Sequence, residues 1–355
     1  MPDSTARYRQ WLNSLDANQL DGFLIGHPPN LSYLFRFSGS AGLACCLSGE
    51  CHLIVDSRYI EQATSETCDC HPLLAEKSLD ERLRTLLENS SRSGKTLRIG
   101  VEARHISWDR ILRLQSWETK VEWVPTSYLI EELRMIKDEE EIKLMKEAFR
   151  IAQRAFQLMT EKVHAGMREI EVAGILEFEL RQAGGQGLAF ETIVASGPRS
   201  SLPHAASTDR TIGKDEYLLI DFGVKNHGYC SDLTRIHPLS KAVVPDIFNV
   251  VQEAQREAIS RIRPGVFSSE IDAAARKVIS RHGYGDYFGH STGHGLGLEV
   301  HELPALSALK SQELQEGMTF TVEPGIYLPK KHGIRIEDVV AVSQTGYDTL
   351  SDPNL

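Results

Sequence analysis

The feature that most constrains the fold is a repeat in the C-terminal half of the chain. Segment 163–184 places a turn glycine before an amphipathic stretch and a second glycine after it. Segment 262–283 repeats this order. Because glycine commonly closes a helix in the left-handed conformation, each copy predicts a helix between two turns. We therefore expect a domain built from two similar halves related by a pseudo-two-fold axis.

The first copy continues into a predicted β-hairpin that carries two acids. The apolar segment 217–223 contains Asp221 near its end, and the turn that follows contains Gly228. The returning arm carries Asp232. Glycine in the turn fits hairpin geometry, so the sequence predicts one carboxylate on each arm.

The second copy has the same arrangement. Segment 318–325 carries Glu323, a turn is predicted at His332 and Gly333, and the returning arm carries Glu337. Two halves facing each other would bring both carboxylate pairs together. Buried carboxylates are costly unless they are paired or bound to metal, so divalent cations are the expected partners. The alternative interpretation is four unrelated surface or capping acids.

Between the hairpins lies a glycine-rich stretch, 283–304, that contains His290, His294 and His301. Glycines cost backbone entropy and contribute no packing, so the stretch is typical of extended backbone close to a ligand. Imidazole is the commonest metal ligand. One histidine added to four carboxylates gives an oxygen-rich set that favours two Mn²⁺ ions, with Co²⁺ or Zn²⁺ as alternatives.

The N-terminal part of the chain has a different pattern. Predicted strands at 22–26, 51–56, 97–102 and 121–124 alternate with helical segments, which indicates a small α/β domain. A long helical pattern over 133–159 opens the second part. At 355 residues the chain suggests two domains, which we place at 1–130 and 131–355.

Composition excludes several classes of protein. A net charge of −10 argues against nucleic acid or anionic membranes as partners. No apolar run approaches the ~20 residues needed to span a bilayer, and the N-terminus lacks an apolar signal region. The six cysteines lack zinc-site spacing and are predicted to be reduced thiols. We expect a cytoplasmic protein.

Five motifs, taken in order, resemble those of the pita-bread metallopeptidases. The resemblance within that group is to bacterial aminopeptidase P and prolidase, and it covers nearly the whole chain. It implies a creatinase-like α/β N-terminal domain and an α+β pita-bread catalytic domain. The motifs are Asp221-Phe222-Gly223, Ser231 to Arg235, Gly293 to Pro304, Thr321 to Tyr327, and Gly333 to Asp338.

The resemblance also implies the metal ligands, which are Asp221, Asp232, His294, Glu323 and Glu337. By the same resemblance, Asp232 and Glu337 bridge both ions, Asp221 serves one ion, and His294 and Glu323 serve the other. The implied reaction is hydrolysis of the peptide bond between an N-terminal residue and a following proline by a metal-bridging hydroxide. Glu323 is either the proton acceptor or a structural ligand only.

Further site residues follow from the same motifs. The resemblance gives His204, His290 and His301 catalytic or substrate-orienting roles, and we expect His301 to hydrogen-bond the carbonyl oxygen. Arg335 matches an arginine of the proline-specific branch. It shares a strand face with Glu337, so it is predicted either to hold Glu337 or to meet a substrate carboxylate.

A proline at the second position lacks an amide hydrogen, so its recognition must rely on apolar walls. Phe190, Tyr229 and Tyr287 are the predicted wall residues. The expected partners are short peptides with proline at the second position and a second copy of the chain in a homodimer. Whether dipeptides or longer peptides are cleaved stays open.

Three alternatives compete with this prediction. The first is a broader-specificity or methionine aminopeptidase, although methionine enzymes of this fold typically lack the N-terminal domain. The second is a creatinase-type hydrolase that works without metals. The third, from another class, is a non-catalytic peptide-binding module of the same fold. Retention of all five predicted ligands argues against the last two.

Overall fold

The computed structural model describes residues 4–90, 95–239 and 244–352. The chain divides into two compact units, Met1–Arg134 and Met135–Leu355. Within the described residues, no helix is both long enough and apolar enough to cross a bilayer.

The first unit is a mixed sheet with helices. Its sheet has six strands in the order β4-β3-β2-β1-β5-β6. β1 pairs parallel with β5 and antiparallel with β2. The helices are α1 (Ser4–Ala17), α2 (Pro28–Phe35), α3 (Ile60–Glu66), α4 (Leu79–Ser90), α5 (Trp108–Gln115) and, at the boundary, α6 (Glu131–Met135). The strands are β1 (Gly22–Ile25), β2 (Leu43–Leu47), β3 (Glu50–Val55), β4 (His71–Leu74), β5 (Leu97–Glu102) and β6 (Val121–Thr126).

The cysteine prediction is wrong for one pair. Cys46 on β2 lies directly opposite Cys51 on β3, and the two form a disulfide. The neighbouring arms of the hairpin bring them together, which spacing along the chain did not indicate. Cys45, Cys70 and Cys230 are buried thiols.

The second unit combines long helices with short antiparallel strands. Its helices are α7 (Glu139–Thr160), α8 (Glu169–Gln182), α9 (Ile247–Ser260) and α10 (Ser268–Arg281), with 3₁₀ turns at Gly197–Ser201 and Gly285–Tyr287. The first strands are β7 (Gly187–Leu188), β8 (Ile193–Ser196), β9 (Tyr217–Phe222), β10 (Val224–Asn226), β11 (Tyr229–Cys230) and β12 (Leu233–Pro238). The remaining strands are β13 (Gly293–Gly295), β14 (Glu302–Leu306), β15 (Thr319–Val322), β16 (Gly325–Leu328), β17 (His332–Arg335), β18 (Asp338–Val342) and β19 (Tyr347–Thr349).

The predicted repeat is confirmed at its glycines. Gly166 and Gly265 precede α8 and α10 with φ angles of +93° and +85°. Gly184 and Gly283 close the same helices with φ angles of +106° and +83°. Left-handed backbone strains residues that carry a Cβ, so glycine is favoured at all four positions.

The two hairpins are also confirmed, and each is interrupted. β9 pairs with β12 and its continuation β10 pairs with β11. In the second half β15 pairs with β18 and β16 pairs with β17. The second turn is not where the sequence predicted it: His332 and Gly333 lie on β17, paired with Leu328 and Tyr327. The turn lies just before them, where Lys330 has a φ angle of +61°.

Candidate metal centre and active site

Four of the five predicted metal ligands lie where the two hairpins are interrupted. Asp221 is near the end of β9 and Asp232 precedes β12, while Glu323 follows β15 and Glu337 precedes β18. His294 is the central residue of β13, which pairs with β15. All five side chains line one cavity of about 1110 Å³. The apolar strands on both sides therefore carry these polar groups to one place.

The distances within this group are short. His294 Nε2 lies 3.2 Å from Glu323 Oε1 and 3.7 Å from Asp232 Oδ2. One ligand atom each of Asp232, His294 and Glu337 lie within 4.8 Å of one another. This is the spacing expected of atoms that can share a cation.

Two buried carboxylate oxygens test whether the residues fit metal ions. Asp221 Oδ1 and Glu337 Oε1 are buried and have no hydrogen-bond partner. Buried polar atoms in folded proteins are nearly always satisfied, so two such atoms in one cavity need an explanation. Divalent cations bound to these oxygens would satisfy both.

The electrostatics lead to the same conclusion. Burial, together with the charge of Glu337, raises the pKa of Asp232 well above its ordinary value. Burial and the charges of Glu323 and Asp221 do the same to the pKa of Glu337. Burial also opposes ionisation of Glu323, but the hydrogen bond from His294 prevails and lowers the Glu323 pKa to about 2. The buried carboxylates therefore repel one another, and bound cations would offset this repulsion.

The tautomer of His294 suits a metal ligand. Its Nδ1 lies 3.1 Å from the carbonyl oxygen of Gly295. A carbonyl only accepts, so Nδ1 carries a proton whether or not metal is bound. Without metal, Nε2 donates to Glu323 Oε1, and loss of that proton would leave the Nε2 lone pair for a cation. Four carboxylates and one imidazole thus fit a divalent metal centre of oxygen-preferring ions.

Arg335 connects several parts of the site. Its Nη2 donates to Asp221 Oδ2 at 2.5 Å, and its Nε donates to the hydroxyl of Thr234 at 2.9 Å. That hydroxyl in turn donates to Glu337 Oε2 at 2.8 Å. Of the two predicted roles, holding Glu337 is the one this geometry supports, and the contact runs through Thr234.

His290 has both ring nitrogens engaged. Its Nδ1 donates to the carbonyl oxygen of Ser291 at 2.8 Å. In a neutral ring protonated at Nδ1, Nε2 accepts from the Tyr327 hydroxyl at 2.9 Å, and that hydroxyl accepts from Arg335 Nη1 at 2.9 Å. Burial lowers the pKa of His290, in keeping with a neutral ring. His290 lines the cavity and can therefore meet a ligand with its ring rather than with a nitrogen.

The other two predicted histidines differ from His290. His204 and His301 both line the cavity and are exposed to solvent. The centroid of the His301 ring lies 4.2 Å from that of His294, which places it beside the predicted metal ligand. Within the described residues, neither His204 nor His301 makes a side-chain hydrogen bond. Their nitrogens can therefore contact a bound substrate.

Of the three predicted wall aromatics, only Phe190 lines the cavity. Tyr229 is buried, and its hydroxyl donates to Glu141 Oε1 of α7 at 2.7 Å. Tyr287 lies on a 3₁₀ turn and is 39% exposed. The structure therefore corrects two of these predictions, because aromatic character near a motif does not specify where the ring packs.

Two residues of this network carry no predicted role. Thr234 and Tyr327 both lie within the motifs already recognised, yet only their tertiary contacts reveal what they do. Thr234 faces Asp221 across the β9–β12 pair. Tyr327 faces Gly333 across the β16–β17 pair, and a Cβ at that glycine would lie 2.8 Å from the Tyr327 ring. Register within the hairpins is the signal that could have identified them.

Two interrupted hairpins surround a carboxylate-rich centre suited to metal, and the comparisons identify this arrangement as a metallopeptidase of the pita-bread class. Residues 143–344 match metallopeptidase family M24, and residues 7–136 match the creatinase/prolidase N-terminal domain. The chain belongs to metallopeptidase family M24.

Curated relatives and solved structures match this chain over nearly its full length. The chain is 35% identical over 350 residues to an Xaa-Pro dipeptidase of Pyrococcus horikoshii, covering 97% of this chain and 96% of the relative. The structure of an Xaa-Pro dipeptidase from Bacillus anthracis superposes with a TM-score of 0.92 at 34% identity, covering 99% of this chain and 98% of that one. An X-Pro aminopeptidase from Thermotoga maritima gives a TM-score of 0.88 at 35% identity, covering 97% of each.

Proposed function

We propose that this metallopeptidase hydrolyses the peptide bond between an N-terminal residue and a following proline. The observation that carries the proposal is the meeting of Asp221, Asp232, His294, Glu323 and Glu337 on one cavity. The names of the relatives, which include Xaa-Pro dipeptidase and X-Pro aminopeptidase, support proline as the second residue.

The ligand set would hold two divalent ions, and its oxygen-rich composition favours Mn²⁺ over Co²⁺ or Zn²⁺. Asp232 and Glu337 would bridge the ions, Asp221 would serve one, and His294 and Glu323 the other. Two such ions, when bound, lower the pKa of a coordinated water and polarise the scissile carbonyl.

The chain's own groups would then handle protons and charge. We assign proton acceptance to the Glu323 carboxylate, whose Oε1 is held by the Thr321 hydroxyl at 3.1 Å. His301 is assigned to the carbonyl oxygen, where negative charge develops. His204, on the loop before β9, is assigned to the substrate backbone or the leaving nitrogen.

Recognition of proline would rest on an apolar part of the same cavity. Phe190, Ile193 and Val300 line it together with the ring of His290. A proline ring has no amide hydrogen to offer, so packing against these side chains is the available means of selection. Removing the Phe190 ring should therefore weaken binding of proline peptides more than that of alanine peptides.

A cleavage panel tests the proposal. Purified protein with added Mn²⁺ is given Xaa-Pro dipeptides, Xaa-Pro-Yaa tripeptides and Met-Xaa peptides, and released amino acids are quantified. We expect cleavage of the proline series, with the dipeptide-to-tripeptide ratio revealing the substrate length. Equal cleavage of peptides without proline would defeat the proline assignment. Asp232→Asn is the inactive control for metal-dependent turnover.

Two further assignments belong to the proposal. We infer a cytoplasmic homodimer from the family resemblance. Light scattering on the purified protein measures the mass, and fractionation of the source cells measures the location. A monomeric mass at micromolar concentration would reject the homodimer and leave the proposed reaction unaffected.

A further inference from the structure

We propose that two buried carboxylates outside the metal centre, Glu169 and Asp272, are positioning residues for the cavity histidines His204 and His290. Both carboxylates are 0% exposed, and neither belongs to the predicted ligand set. The inference rests on the proposed function only in taking these histidines as substrate-facing.

Glu169, in the first turn of α8, joins the two ends of one loop. Its Oε1 accepts from the backbone N–H of Ser196 at 2.9 Å and from the Ser196 hydroxyl at 2.8 Å. Its Oε2 accepts from the N–H of Thr208 at 3.2 Å and from the Thr208 hydroxyl at 2.6 Å. Ser196 and Thr208 flank the segment 197–207, which carries His204.

The Glu169 carboxylate also binds an arginine inside the loop. Arg199 Nε donates to Glu169 Oε2 at 3.0 Å, and the other end of that guanidinium donates to the carbonyl oxygen of Ala206. Arg335 Nη1 donates to the carbonyl oxygen of Pro203 at 2.9 Å. The loop is therefore held at its base by Glu169 and next to His204 by the arginine of the metal centre.

Asp272, in the second turn of α10, makes a comparable set of contacts in the second half. Its Oδ1 accepts from the N–H of Thr292 at 3.0 Å and from the Thr292 hydroxyl at 2.8 Å. Arg276 Nε donates to Asp272 Oδ2 at 2.7 Å. The same guanidinium donates to the carbonyl oxygens of Phe288, at 3.1 Å, and His290. A buried aspartate and an arginine thus hold the backbone of His290.

The two arrangements use the same physics in both halves. A carboxylate buried away from water is tolerated only when donors surround it, so each loop is favoured in the arrangement that supplies those donors. Glu169 and Asp272 lie in different turns of their helices, so the repeat alone does not explain both. What they share is a loop whose histidine lines the cavity, where side chains must be held to within about 0.5 Å.

Because the two histidines have different contacts, we expect different kinetic effects when their loops are loosened. His204 offers free ring nitrogens to the substrate, so loosening its loop should lower kcat/KM roughly 10- to 100-fold through kcat. His290 has both nitrogens engaged by the protein and offers its ring as a wall. Loosening its loop should therefore raise KM for proline peptides and leave kcat within about threefold.

Double-mutant cycles on the metal-loaded enzyme test the assignment. Glu169→Gln is combined with His204→Ala and, separately, with His290→Ala; Asp272→Asn is combined in the same way. We expect Glu169→Gln to add nothing in the His204→Ala background and to keep its full effect in the His290→Ala background. The reverse pattern is expected for Asp272→Asn. Effects that are equal and additive in both backgrounds would overturn the proposal.

Hydrogen exchange measured by mass spectrometry gives a readout that needs no substrate. Glu169→Gln should speed exchange in 197–207 only, and Asp272→Asn in 284–292 only. Glu179→Gln is the matched control, because Glu179 is a buried carboxylate of α8 that pairs with Lys162 instead. Unchanged exchange in both loops would refute the inference even if Xaa-Pro cleavage is found. Loop-specific exchange without Xaa-Pro cleavage would reject the proposed function alone.

Discussion

Arg335 and Asp221 form a buried ion pair at the metal centre, with Nη2 donating to Oδ2 at 2.5 Å. Their side chains are 3% and 14% exposed. Burial nevertheless raises the pKa of Asp221 in spite of the arginine, and its Oδ1 has no hydrogen-bond partner. One oxygen of this carboxylate is thus satisfied by the protein and the other faces the place of a cation.

Removing the arginine should therefore be costly. We expect Arg335→Met to lower the free energy of unfolding of the metal-free protein by about 3–5 kcal/mol, because it leaves Asp221 as an uncompensated buried charge. The loss should be smaller with metal bound, since a cation compensates the same carboxylate. Denaturant unfolding with and without Mn²⁺ measures both. Arg256→Met, at an exposed arginine of α9, is the control and should change little.

Metal removal should make stability depend on pH in a defined direction. The folded pKa values of Asp221, Asp232 and Glu337 are raised, so these groups favour folding below their unfolded pKa values, near pH 4. That contribution is lost as pH rises through the folded values. Glu323 has a lowered folded pKa, so it stabilises the folded protein above its unfolded pKa, near pH 4. That stabilisation is lost as pH falls toward about 2.

Chelated protein should accordingly melt at a lower temperature at pH 8 than at pH 5.5, whereas metal-loaded protein should lose less over the same interval. Calorimetry in two buffers should also register proton release when metal binds, because the carboxylates must ionise. A melting temperature of the chelated protein that rises from pH 5.5 to pH 8 would contradict the assignment of these acids.

Thr234 should matter more than its small size suggests. Thr234→Val keeps the shape but leaves Arg335 Nε and Glu337 Oε2 without their shared hydroxyl. We expect a loss of about 1–3 kcal/mol in unfolding free energy and metal binding weaker by roughly 10- to 100-fold. Metal titration followed by calorimetry checks the second effect. Thr85→Val, at an exposed helix position, provides the comparison.

Gly293 should tolerate no side chain. A Cβ there would lie 1.9 Å from the carbonyl oxygen of Thr321, next to His294. Gly293→Ala must therefore push β13 away from β15, and we expect at least 1–3 kcal/mol of destabilisation together with loss of activity. Gly346→Ala is the matched control, because a Cβ there would meet nothing within 4 Å. Equal melting temperatures for the two variants would show that β13 can shift freely.

Local chemistry explains why some features were predictable. The helix-closing glycines of the repeat and the acids at the ends of apolar strands can be recognised from neighbours along the chain. Tyr229 and Tyr287 could not be placed in this way, since a ring beside a motif can point toward a helix or toward solvent. The Cys46–Cys51 disulfide and the exact turn before His332 depended on hairpin register, which spacing alone leaves undetermined.

The sequence by itself determined the repeat, the two hairpins and the acids they carry, because backbone preference and the cost of burying charge act locally. Only the tertiary structure decided how these groups are held. Arg335 reaches Asp221, Thr234 and Tyr327 across strands, and Glu169 and Asp272 reach loops beyond their own helices. Such contacts join residues far apart in the chain, and they form only when packing brings donors to carboxylates that water no longer reaches.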